Sequence, residues 1–361
     1  MLYLGIDVHR KQLTVNVQNE AGESLVRRQV STEWKRVRAF FTELARRAAE
    51  EGGYMAIVET CGFHEWVVEL LAEFGCREVV VVQPTGRTKK KTDRRDAQAL
   101  SEVLWLNRDR LAAGLSIRGL RRIHPPNRTD AENRQLTALR VRVKQLRTRT
   151  LNKIHRILLK HNLGQHCPTK GLATKRARRW LEEQLVLPEL DRLEIELLVA
   201  QWSLWDQQLA TLDREIIRRQ QLCPTAVLIA SMPGAGSLGS LALASRMDRI
   251  ERFPRPGSLA NYWGLTPAVR NSGEATDRLG SITKEGSRLA RFVLAQMVLH
   301  VLRRDPTIRN WYQRIKRRRG AKIARVAVMR RLATILWQMV KHNEPYHLGG
   351  LPRRPLMAAA G

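Results

Sequence analysis

Between residue 1 and about residue 110 the hydrophobic period changes back and forth, and that alternation narrows the fold more than any single motif. Leu2 to Val8 is a short buried run that carries Asp7 near its end, and Leu13, Val15 and Val17 alternate with polar residues as a half-buried strand does. Asn19-Glu20-Ala21-Gly22 supplies a turn into a third strand over Leu25 to Val30. Trp34 to Glu51 then changes to helical spacing (Val37, Phe40, Phe41, Leu44, Ala48) and stops at Gly52-Gly53. Tyr54 to Val58 is a buried strand running into Glu59, His64 to Phe74 is helical, and Val79 to Val82 is an all-apolar strand. After a loop at Pro84-Thr85-Gly86, a last helix starts near Asp93 and follows Ala97, Leu100, Val103 and Leu104.

Three strands, helix, strand, helix, strand, helix is the order of the RNase H-like α/β fold. In that fold the first and fourth strands are central neighbours, so Asp7 and Glu59 are expected side by side at their strand ends. The last helix is expected to lay Asp93 and Asp96, one turn apart, across the same edge. Any one of these acids, taken alone, reads as a strand-end or first-turn carboxylate. Four of them converging repel one another unless cations or protons intervene. Hard divalent ions with oxygen ligands, Mg²⁺ or Mn²⁺, suit such a set and can assist phosphodiester chemistry. Lys91, Arg94 and Arg95 crowd around the helix start as candidate nucleic-acid contacts.

Composition points the same way. The 361 residues hold 64 Lys plus Arg against 34 Asp plus Glu, a formal charge of +30 spread along the chain. A folded chain this basic is expected to meet a nucleic acid. No signal peptide, lipidation motif or membrane-spanning apolar run is present, so no membrane partner is expected and a cytoplasmic location is. Cys61, Cys76, Cys167 and Cys223 lie far apart, which suits a reducing compartment; His161, His166 and Cys167 read as loop residues rather than a metal trio.

Residues 111–128 read as a basic connector, and Thr129 to Glu132 as a capping box opening the next helix. Two heptad runs follow within 129–222: Leu136, Leu139, Val143, Leu146, Thr150 and Ile157, then Leu198, Trp202, Trp205, Leu209, Leu212 and Ile216. They predict a coiled-coil segment, as an antiparallel hairpin or between chains. Arg140 and Arg147 belong to a run of cations on the first helix that favours nucleic-acid contact. Residues 223–345 predict an all-helical unit, with 346–361 as a tail. Within it, the Gly234-Ala235-Gly236 turn between two apolar helices resembles a helix-hairpin-helix, in which backbone N–H groups approach a phosphate.

Several short pieces occur in one order: Gly5-Ile6-Asp7, Glu59-Thr60-Cys61-Gly62, Lys91 to Ala97, Met232 to Gly236, Gly264-Leu265-Thr266-Pro267 through Ser272-Gly273, and Thr283 to Gly286. In this order they resemble transposases of the insertion-sequence one-ten family, related to the Piv-type DNA invertases. The resemblance implies a RuvC-like domain over 1–110 with Asp7, Glu59, Asp93 and Asp96 as metal-binding catalytic carboxylates. It further implies a helical transposase domain with Ser272 as nucleophile, linked transiently to DNA, and Arg278 and Lys284 as neighbouring nucleic-acid contacts. Double-stranded donor and target DNA, a structured bridge RNA, and a homodimer or homotetramer are the partners it implies, in a bacterial or archaeal nucleoid setting. The same acids with water as nucleophile would instead make a Holliday-junction-type endonuclease. A third reading, a non-catalytic nucleic-acid scaffold, rests on the charge and the glycine turn alone.

Overall fold

The computed structural model describes residues 1–83, 93–115, 117, 122–269 and 279–349; for 93–95, 269 and 279 only the backbone is described. The chain divides into two compact units, Met1–Pro125 and Pro126–Gly361.

The first unit is a mixed α/β layer structure. Its elements are β1 (Leu2–Val8), β2 (Gln12–Gln18), β3 (Ser24–Ser31), α1 (Trp34–Glu50), β4 (Tyr54–Glu59), α2 (Glu65–Glu73), β5 (Glu78–Val82), α3 (Asp93–Leu106), α4 (Arg108–Ala112) and β6 (Arg122–Ile123). The strands form one sheet in the order β3-β2-β1-β4-β5-β6. β1 runs antiparallel to β2 and parallel to β4, and β4 parallel to β5. The expected succession of strands and helices is therefore present, with β1 and β4 adjacent. The connector expected at 111–128 is different: it contains the end of α4, and β6, which pairs antiparallel with β5 at the sheet's edge.

Strand alternation sorts the core into two faces. Leu2, Leu4 and Ile6 of β1, Leu13, Val15 and Val17 of β2, and Tyr54, Ala56 and Val58 of β4 pack with Val37, Phe41 and Leu44 of α1 and Leu70 of α2. Tyr3, Ile57, Val80 and Val82 point the other way, onto Leu100 and Leu104 of α3. Helix α3 is seated closely on this second face. A Cβ on Gly5 would lie 2.2 Å from the Ala97 carbonyl oxygen and 2.6 Å from the Ser101 nitrogen, so only glycine admits the helix backbone here.

The second unit is largely helical: α5 (Arg128–Lys160), α6 (Lys175–Glu183), α7 (Glu189–Gln221), α8 (Pro224–Ala230), α9 (Ser237–Met247), α10 (Pro256–Tyr262), β7 (Pro267–Val269), β8 (Leu279–Ile282), α11 (Arg288–Arg304) and α12 (Pro306–His342). The pair β7–β8 is an antiparallel hairpin, so the region is not all-helical as expected. Gly264 (φ +68°) and Gly286 (φ +73°) turn the chain into and out of it, which helical periodicity could not reveal.

Helices α5 and α7 form an antiparallel hairpin, as the falling numbers of their partners show. Arg140 meets Asp213, Arg147 meets Asp206, the Trp205 indole donates to Thr150, and Lys160 meets Asp191. The face α5 buries is not quite the expected heptad: Asn133, Thr137, Val143, Thr150, Ile154 and Ile157 are buried, while Leu139 and Leu146 are exposed. The predicted capping box is also displaced. Asn127 caps α5, its side chain accepting from the Asp130 N–H at 2.8 Å, because Pro125-Pro126 holds the chain extended and the helix starts before Thr129. Glu132 instead binds Arg219 and Arg128.

Two predictions follow from these contacts. Gly5→Ala should lower stability by at least about 1–3 kcal/mol through overpacking, whereas Gly62→Ala, with open space around it, should be near neutral; denaturant midpoints compare the two. The second concerns Asp130, whose carboxyl is pushed up to about 6, first by burial, then by Asp248, against the pull of the Asn127 amide and Arg134. An acid raised on folding binds more protons folded than unfolded between its ordinary 3.8 and about 6, so its stabilising contribution is present at the acid end and lost as pH rises. Asp130→Asn should flatten the melting-temperature profile over that interval.

Candidate active site

Alternation along β1 puts Asp7 on the same face as Tyr3 and Gly5, the face covered by α3. In β4, Glu59 lies on the face of Ile57 by the same rule. The parallel register pairs Ile6 with Val58, and one residue further it brings Asp7 alongside Glu59.

The direction of α3 follows from its contacts. Near its C-terminal end the Trp105 indole donates to the Glu20 carbonyl at 3.0 Å and its ring lies over Gly22, in the turn opposite the start of β1. One turn earlier Ser101 accepts from the Asn16 amide at 2.6 Å, and one turn earlier still Ala97 meets Gly5. The helix thus runs antiparallel to β1, and its first turn, Asp93 to Asp96, heads toward the edge where β1 ends. Four helical residues back from Ala97 is about 6 Å, and two strand residues on from Gly5 is about 6.6 Å. Of the four predicted carboxylates, Asp7 and Glu59 share a strand register and Asp96 sits beside the Gly5 contact; the Asp93 side chain lies outside the described residues. Among the described residues no three Asp, Glu, His or Cys side chains form a metal cage.

One polar residue at this edge is absent from the sequence-based set. His9 Nε2 lies 2.9 Å from Asp7 Oδ2. The signal was available: a histidine two residues beyond a strand-end aspartate returns to the same face. It orients the Asp7 carboxylate, whose side chain is 17% exposed and therefore within reach of solvent.

The other predicted residues scatter. Arg140 is bidentate to Asp213 (2.9 and 3.0 Å) and Arg147 binds Asp206, so both hold the helical hairpin together. The cations of α5 left facing solvent include Arg142, Lys144, Arg149, Lys153 and Arg156. Gly234 (φ +85°) and Gly236 form the turn between α8 and α9 as anticipated. A Cβ at Gly234 would meet the His300 side chain, its Cβ at 2.8 Å and its ring at 2.9 Å, so glycine is needed for packing as well as for φ. Lys91, Arg278 and Ser272 lie outside the described residues, and for Arg94 and Arg95 only the helical backbone is described.

The base of the β7–β8 hairpin is described, and it is tightly interlocked. A Cβ on Gly264 would fall 2.1 Å from the Glu285 carbonyl, and one on Gly286 2.0 Å from the Tyr262 carbonyl. Lys284 (φ +57°) donates its N–H to the Gly264 carbonyl at 3.2 Å. The Arg291 guanidinium joins both sides, donating to the carbonyls of Trp263 (3.0 Å) and Glu285 (2.7 Å).

Both units match transposase domains. Residues 4–162 match the DEDD-type IS110 transposase domain, and residues 226–313 match the one described as the transposase IS116/IS110/IS902 family. The chain belongs to the IS110/IS116/IS902 family of transposases. It is similar to a putative transposase of Sinorhizobium fredii, 23% identical over 96% of this chain and 86% of that protein. It also resembles the transposase of insertion element IS1111A from Coxiella burnetii, 25% identical over 72% of this chain and 69% of that one. The pilin gene-inverting protein of Moraxella bovis is 26% identical over 39% of this chain and 46% of its own length. DNA is accordingly the transposase's partner, and no described helix is long and apolar enough to cross a membrane.

Gly264→Ala should open the hairpin base of this transposase, costing at least about 1–3 kcal/mol. Gly257→Ala, in open space in the first turn of α10, should have the opposite sign, up to about 1 kcal/mol. Thermal melting and proteolysis within 264–286 report both.

Proposed function

We propose that the transposase cleaves and rejoins DNA strands at the edge where β1 and β4 end, in an RNase H-like (RuvC-like) domain, with Asp7, Glu59, Asp93 and Asp96 as ligands of Mg²⁺ or Mn²⁺. The observation that carries this reading is the parallel β1–β4 register with α3 antiparallel on the same face. Hard divalent cations fit a donor set made only of carboxylate oxygens, and when bound they offset charge on the reacting phosphate. The chain's own contribution is to hold those oxygens at fixed positions. His9 contacts Asp7, a central strand carries Glu59, and the Gly5 contact seats the helix whose first turn contains Asp93 and Asp96.

The nucleophile proposed is Ser272, supported by the ordered motifs and by its place between β7 and β8, whose base Arg291 and the paired glycines hold. Its Oγ would form the bond to phosphorus as its proton leaves, the bond to the departing deoxyribose oxygen would break, and that oxygen would take up a proton. The phosphoester energy is kept in the serine linkage for rejoining. A bridge RNA pairing with donor and target, and a dimer or tetramer, belong to the same proposal and rest on the family resemblance.

The test uses DNA carrying the element's ends. Asp7→Asn and Glu59→Gln should each reduce metal-dependent cleavage by about a hundredfold or more while DNA binding persists. A covalent protein–DNA adduct trapped on a nicked substrate should vanish in Ser272→Ala and survive in Ser281→Ala. Cleaved ends with no adduct from the unaltered protein would replace serine by water, and unchanged cleavage in the carboxylate variants would end the proposal.

A further inference from the structure

Beside the carboxylate edge the first unit has a cleft of about 190 Å³ lined by His9, Arg10, Thr32, Trp34, Phe63 and Trp66. Its position follows from topology. β1 and β4 are parallel, and β3, antiparallel to β2, runs the same way as β1, so all three strands end at one edge. His9 and Arg10 follow β1, Thr32 and Trp34 follow β3, and Phe63 and Trp66 follow β4. His9 joins the cleft to the proposed catalytic site directly, since the same ring contacts Asp7 at 2.9 Å.

Of the three aromatic side chains here, Trp66 packs partly against the core and the other two are exposed. Trp34 is 58% exposed and Phe63 45% exposed, although the unit has buried apolar layers on both sides of its sheet. Trp34 and Trp66 stand edge to face, with centroids 5.7 Å apart at 76°, which leaves ring surface turned outward. Arg38, anchored on Glu73, lies 5.8 Å from the Trp34 ring and steadies it from one side. The lining itself holds Arg10 and no carboxylate. Of the exposed charged residues next to it in sequence, Lys11 and Lys35 are cations, Glu33 is paired with Arg36, and Glu65 is an acid in the first turn of α2. Open aromatic faces beside cations are the combination that stacks nucleobases while holding the phosphate backbone. Clustered exposed aromatic surface is otherwise a cost to a soluble fold.

We infer that this cleft receives an unpaired base of the DNA strand next to the phosphate at the carboxylate edge, with Trp34 and Phe63 as the stacking surfaces and Arg10 on the adjoining backbone. This rests on the edge being the reacting one, as proposed above. Holding a base out of the stack would fix the strand's register against Asp7 and keep the duplex from closing over the phosphate.

The experiment measures binding and contact rather than cleavage, so that its failure is separable from failure of the catalytic reading. Full-length protein is irradiated with single-stranded DNA containing 5-iododeoxyuridine, and the adducts are mapped by mass spectrometry, with the matching RNA in parallel. Adducts on Trp34, Phe63 or Trp66 are expected, and they should persist in Asp7→Asn. Trp34→Ala and Phe63→Ala should each weaken single-stranded DNA binding about five- to a hundredfold, with duplex binding and melting temperature little changed, and Phe63→Trp should restore it. Phe63 is exposed, so its variant remains informative if the Trp34 one misfolds. Adducts confined to other segments, adducts with RNA but not DNA, or unaltered binding in Phe63→Ala would each overturn the inference.

Discussion

The seating of α3 on β1 at Gly5 is the contact on which the candidate site depends. Two backbones meet there without an intervening side chain, and the helix is then registered along the sheet by polar contacts at Ser101 and, one turn further on, at Trp105. Ser101 with Asn16 fixes one turn and Trp105 with Glu20 fixes the far end. Because the contacts lie at successive turns, they constrain translation as well as tilt. Any bulk at Gly5 would lift the N-terminal turn of the helix away from the strand end. Apolar packing through Leu100 and Leu104 supplies the adhesion, but it is non-directional and would tolerate a slip that the glycine contact and the hydrogen bonds do not.

That rigidity matters because carboxylates are brought together against their own repulsion. Strands β1 and β4 place Asp7 and Glu59 in neighbouring positions whatever the charge state, since their register is set by backbone ladders and by Leu4, Ile6, Ala56 and Val58 beneath. The energy to hold like charges near one another thus comes from the whole layered unit. In sequence, Lys91, Arg94 and Arg95 flank the acids of the α3 start, so basic residues accompany the carboxylates there.

Much of this was legible in the sequence. Period-two alternation in β1 and β2, helical spacing in α1 and the Gly52-Gly53 stop are local signals, and they located the elements of the first unit closely. The neighbourhood of Asp7 and Glu59 was readable only through the order of elements. Signals that depend on tertiary partners were not readable. The N-terminal cap of α5 falls to Asn127 because the two prolines ahead of it hold the chain extended. Arg140 and Arg147 looked like free cations until α7 brought Asp213 and Asp206 opposite them. The β7–β8 hairpin escaped notice because its strands are short and its ends are set by glycine conformations, not by hydrophobic period. His9 and the aromatic cleft gather residues from after three different strands, and no linear pattern joins them.

The charge of the chain has a structure too. Between Asp305 and Glu344 no carboxylate occurs, and the run from Arg314 to Arg325 surrounds the break in α12 at Gly320 (φ +81°). Cations in the last turn before the break compensate the dipole of that arm, but Lys322 and Arg325, at the start of the next arm, oppose its dipole. Local helix stability therefore explains only half of the run. Cations that contact phosphates act through counterion release and are blind to sequence, each adding a salt dependence of about −0.9 in the log–log slope on duplex DNA. Under the bridge-RNA proposal, pairing of nucleic-acid strands would supply the sequence information that phosphate contacts do not carry.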